Sequence, residues 1–151
     1  MKEQVSQIQQ DVTAQLRDVL QSRSLCCVFQ PIFGFREGRI IGYEALVRGP
    51  EGSLIESPFE LFNAAHRAGL AVELNTQCAE KMLRSFAANG LDGSLFLNIS
   101  PQLIMQRGLE QARVARFLES LDLDPSRVVI ELTEDYPTID FRLVQIGRAH
   151  V

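Results

Sequence analysis

The chain has 151 residues, 46% hydrophobic and 23% charged, with a formal net charge of −4. That length supports one domain with a sizeable core, and that balance excludes a disordered chain. An acidic chain with no Lys/Arg run argues against binding a nucleic-acid polymer, and no apolar run approaches the roughly 20 residues of a membrane span.

Residues 3–22 place Val5, Ile8, Val12, Leu16 and Val19 three or four apart, the spacing of an amphipathic helix that packs on the domain beginning at residue 23. The same stripe offers a surface for a second copy, although it is shorter than a coiled coil requires. The run 25–33, LCCVFQPIF, predicts a strand in which Gln30 is the one polar side chain. That amide reads either as a core glutamine bonded to backbone or as a ligand contact. Pro31 demands an edge position, a bulge or a strand end. Adjacent Cys26 and Cys27 face opposite ways on a strand, and with distant Cys78 they form no CxxC. They read as buried thiols in a reducing compartment, and the polar N-terminus is not signal-like, so the expected location is cytoplasmic.

After the turn 36–38, residues 39–48 predict a second strand, which forms an antiparallel hairpin with the first. Tyr43, Ala45 and Val47 share one face; Gly42, Glu44, Leu46 and Arg48 share the other. Taken alone, Glu44 and Arg48 fit an exposed ion pair worth about 0.2–1 kcal/mol. Ser57, Pro58 and Glu60 then form a helix start, and Gly69 its end, around Leu61, Phe62 and Ala65. His66 on this helix is a surface or satisfied histidine. A second helix over 71–88 carries Val72, Ala79, Met82, Leu83 and Phe86 as core and closes at Asn89-Gly90. A strand over 94–100 contains Asn98, a helix spans 109–121 with Val114, Phe117, Leu118 and Leu121 inward, and a strand over 127–134 contains Glu131. Residues 138–148 predict the start of another helix.

Strands joined by helical crossovers imply a parallel α/β sheet. Glu44, Asn98 and Glu131 all lie toward the C-terminal ends of successive strands, the end at which (β/α) barrels carry their sites. Three oxygen-bearing side chains in register point to a divalent cation.

These segments resemble the EAL-domain family of cyclic di-GMP phosphodiesterases. The name motif stands as Glu44-Ala45-Leu46, extended to Arg48, with FQPI at 29–32, LNISP at 97–101 and ELTE at 131–134, in order over about 25–145. The resemblance implies a TIM-type (β/α)₈ barrel with an antiparallel first strand. It also implies hydrolysis of cyclic di-GMP to linear pGpG in bacterial second-messenger signalling, of the kind that governs biofilm and motility. Its cofactor would be Mg²⁺ or Mn²⁺ in a two-metal site that activates a water. It makes Glu44, Asn98 and Glu131 metal ligands, Glu44 and Glu131 catalytic, and Gln30, Leu46 and Arg48 substrate contacts. Arg48 would meet a phosphate and Leu46 a guanine, while Glu134 would steady the loop that follows the next strand.

A barrel of this kind takes about 250 residues, so 151 supply about half. The family's Asp-Asp-Phe-Gly segment and its later lysine, glutamate and glutamine do not occur, and His150 has no catalytic counterpart. The expectation is a partial barrel, inactive by itself, with an open face prone to self-association. The runner-up is a non-catalytic module that binds cyclic di-GMP or another protein. An unrelated α/β domain with a structural Glu/Arg pair is disfavoured by the order of the motifs.

Overall fold

The computed structural model describes residues 2–100 and 111–132. Helix α1, Lys2–Ser22, buries Leu16, Val19 and Leu20, with Val12 packed at the margin; Ile8 is 56% exposed. Of the predicted stripe, Leu16 and Val19 therefore enter the core and Ile8 does not. Strands β1, Cys26–Gly34, and β2, Arg39–Arg48, form the expected antiparallel hairpin. Pro31 lies on β1, which pairs with β2 alone among the described residues, and the register slips between Ile32 and Phe33. Proline donates no ladder hydrogen bond, so an edge strand beside a bulge tolerates it.

Helix α2, Pro58–Ala68, starts as its sequence predicts: the Ser57 side chain accepts from the Glu60 N–H at 3.2 Å, and Gly69 ends it in the left-handed region at φ 69°. Helix α3, Ala71–Asn89, ends at Gly90. Its buried positions are Leu74, Cys78, Met82, Leu83 and Phe86, whereas Val72 and Ala79 are only half-buried. Every fourth residue from Leu74 faces the sheet, a stripe rotated from the predicted one by the two outer positions. Strand β3 is Ser94–Ile99, helix α4 is Gln111–Glu119, and a 3₁₀ turn at Pro125–Arg127 leads into β4, Val128–Leu132.

The sheet order is β1-β2-β3-β4, with β2, β3 and β4 parallel. One face meets the helices: Ala45, Val47, Leu95, Leu97 and Ile99 are buried in one cluster with Leu16, Ile55, Leu61, Leu74 and Phe86. Removing each of the larger of these, the Val, Leu, Ile and Phe side chains, from water contributes about 1.5–3 kcal/mol. The alternate residues form the other face, which no helix covers among the described residues; Val28 there is 47% exposed. Arg127 closes the corner between α3 and β4. Its guanidinium donates to the Gly93 carbonyl at 2.8 Å and to the Leu91 carbonyl, and lies 5.1 Å from the centre of the Phe86 ring.

Cys26 corrects the expectation of three buried thiols. It is exposed on the open face, Cys27 is half-buried on the helix side, and Cys78 is buried. Glu134 and the helix predicted over 138–148 lie outside the described residues.

Candidate functional site

The pleat of β2 carries Gly42, Glu44, Leu46 and Arg48 on the open face. In the hairpin Gln30 pairs with Glu44, Val28 with Leu46 and Cys26 with Arg48, so Gln30 is beside the carboxylate. Gln30 is exposed, which removes the core-glutamine reading. On the other flank Glu44 pairs with Phe96 of β3, and two residues further along the same face is Asn98. Asn98 is in register with Glu131 of β4.

Register alone brings three oxygen-bearing side chains across three neighbouring strands. Asn98 Nδ2 donates to Glu44 Oε1 at 2.6 Å, and both residues are half-buried, while Glu131 is exposed at the rim. With one Glu44 oxygen engaged, the second carboxylate oxygen, the Asn98 carbonyl oxygen and the Glu131 carboxylate remain as hard donors. Two carboxylates and an amide suit a divalent cation that prefers oxygen. No cluster of three His, Cys, Asp or Glu that could hold a metal ion gathers among the described residues.

Gly42 shapes the floor. A Cβ there would lie 2.2 Å from the Ser94 carbonyl oxygen and 2.8 Å from Phe96 Cε2. Its absence leaves room for the Phe96 ring against β2, on the face that carries Glu44. Neither residue stands out in the sequence as part of a site. The signal was available in Gly42, because an isolated glycine inside a strand marks a close approach.

Arg48 ends β2 beside a depression of about 360 Å³ lined also by Ser53, Leu54, Glu56, Ser57 and Glu60. Its Nη1 donates to the Val47 carbonyl at 3.0 Å. The one ion pair among the described residues is Arg23–Glu80, so the Glu44–Arg48 pair considered from the sequence does not form. Arg48 is half-buried and makes no ion pair among the described residues, although the carboxylates of Glu56 and Glu60 line the same depression.

A model of the EAL domain matches residues 13–145. The probable cyclic di-GMP phosphodiesterase PdeB of Escherichia coli K12 is 24% identical over 124 residues, which are 79% of this chain and 24% of that protein. The FimX EAL domain of Pseudomonas aeruginosa, solved bound to cyclic di-GMP, is 27% identical with a TM-score of 0.63, over 81% of this chain and 50% of that one. Klebsiella pneumoniae BlrP1, solved with calcium and cyclic di-GMP, is 25% identical with a TM-score of 0.63, over 74% of this chain and 27% of that one. A second BlrP1 complex contains manganese. The chain thus spans about a quarter of PdeB and half of the FimX domain. It belongs to the EAL-domain family.

Proposed function

We propose that the protein is a phosphodiesterase that opens one phosphodiester bond of cyclic di-GMP to give linear pGpG. The observation that carries this reading is the Glu44–Asn98 contact of 2.6 Å on the face shared with Glu131, in register with Asn98. Glu44, Asn98 and Glu131 would hold Mg²⁺ or Mn²⁺ through their oxygens. When bound, the cations neutralise phosphate charge and lower the pKa of water for in-line displacement. Glu44 and Glu131 thus act catalytically through their negative charge. Arg48 clamps a phosphate oxygen with its planar fork of donors, and the depression beside it leaves room for the rest of the ligand. Leu46 packs beside a guanine, and Gln30 lines the pocket next to Glu44. The three free cysteines favour a reducing, cytoplasmic setting, where this messenger would be met.

In this reading the 151-residue chain is inactive by itself. Its described site residues line one wall, and it spans about half of a solved EAL domain. The test uses the domain at the full length of its solved relatives, with Mg²⁺. It converts cyclic di-GMP to pGpG, and Glu44→Ala lowers kcat/KM by at least about 100-fold. Equal turnover by both forms eliminates the ligand assignment. Tight binding without turnover makes the protein a receptor instead. Turnover by the 151-residue chain refutes its proposed inactivity.

A further inference from the structure

Residues 49–57, between the end of β2 and the start of α2, supply most of the wall facing Arg48: Ser53, Leu54, Glu56 and Ser57 all line the depression. The segment is folded on itself. The Gly49 N–H donates to the Glu56 carbonyl at 2.9 Å, and the Gly52 N–H to Glu56 Oε2 at 2.8 Å. Its two arms approach so closely that a Cβ on Gly49 would lie 2.1 Å from the Ile55 carbonyl oxygen. Ile55 is fully buried and anchors one end of the fold-back.

The middle of the segment has two turns of its own, the Ser53 N–H donating to the Pro50 carbonyl at 3.1 Å and the Glu56 N–H to the Ser53 carbonyl at 3.3 Å, and one tie to α1. The Leu54 N–H donates to Oε1 of Gln15, 39 residues earlier on α1, at 3.1 Å. Leu54 itself is 51% exposed, so side-chain burial does little to hold it. Ser53 Oγ beside it is buried with no hydrogen-bond partner among the described residues. Gln15, by contrast, comes from a rigid base. Its neighbour Leu16 is fully buried in the cluster that contains Ile55 and Leu61. A carboxamide on a packed helix thus meets a backbone donor at an exposed point of the wall.

We propose that Gln15 is a positioning residue for ligand binding: through the Leu54 amide it holds the 49–57 wall against Arg48, so that α1 sets the shape of the anion-binding side of the site. This rests on the phosphodiesterase reading above. It assigns the N-terminal helix a role in affinity, with no role in bond breaking.

Two measurements test it. Deuterium uptake across 49–57 rises in Gln15→Met, which keeps the length and removes the acceptor, and returns to the wild-type level in Gln15→Glu, which keeps an acceptor oxygen. In the full-length domain, Gln15→Met raises KM for cyclic di-GMP about three- to tenfold, the effect of one lost neutral hydrogen bond, with kcat within about twofold. Gln15→Glu restores KM. Unchanged uptake in Gln15→Met overturns the proposal, as does raised uptake with unchanged KM. A merely structural role would lower the amount of active enzyme and leave KM where it was. Wild-type protein that neither binds nor cuts the dinucleotide refutes the reading of the site, an outcome separate from the uptake result.

Discussion

At the scale of single residues, the open and helix-packed faces of the sheet give neighbouring side chains different chemistry. Cys26 and Cys27 are consecutive, yet one is exposed and the other half-buried against α3. Burial pushes the Cys27 thiol from 9.0 up to about 11, with Lys81 and Ser85 partly offsetting it. Burial pushes Cys78 up to about 12, with Cys27 adding to the effect. The neutral thiols are the forms the fold favours, so their contribution to stability is complete below pH 9.0 and is lost as pH rises through about 11 and then about 12. Over that window the unfolded chain binds fewer protons than the native one, so stability falls with rising pH. Denaturant midpoints measured from pH 8 to 11 should decline accordingly. At pH 8 a thiol reagent should modify Cys26 rapidly and the other two only on unfolding. Equal rates for all three would contradict the burial pattern.

At the scale of elements, the corner between α3 and β4 depends on one side chain. Arg127 satisfies the carbonyls of Gly93 and Leu91 and covers Phe86, whose ring is 1% exposed. Replacing it with methionine keeps much of the apolar cover and leaves two carbonyls without their charged donor. Arg127→Met should cost about 1.5–3 kcal/mol, read as a lower urea midpoint with an unchanged slope. The caps of α2 were legible in the sequence, because Ser57 and Gly69 each do a local job that their own chemistry dictates. The inward stripe of α3 was less so. Leu74 and Cys78 compete with Val72 and Ala79 for the core, and only the direction in which α3 crosses the sheet decides between them.

At the scale of the whole molecule, the sheet has one covered face and one that no element covers among the described residues. The uncovered face carries the polar cluster, and around it Val28 is 47% and Ile40 43% exposed. β1 and β4 each have a single partner strand there, so backbone donors and acceptors line both margins. The purified 151-residue chain should therefore self-associate, and sedimentation velocity at increasing concentration should show species larger than 16.9 kDa. A concentration-independent monomer would show that the open face is tolerated.

Much of this molecule follows from short-range rules. The two-residue period of 39–48 assigns Glu44 and Arg48 to one face, and the turn at 36–38 makes the hairpin antiparallel. Those properties belong to the backbone and need no knowledge of neighbours. Which strand lies beside which, and in what register, depends on the helices that pack beneath them. That register brings Asn98 within 2.6 Å of Glu44 and opposite Glu131. It also brings Gln15 to Leu54 across 39 residues of sequence. Local sequence chemistry determined the candidate ligands and the face they occupy; long-range packing alone decided that they meet, because distances between elements are set by the shared core.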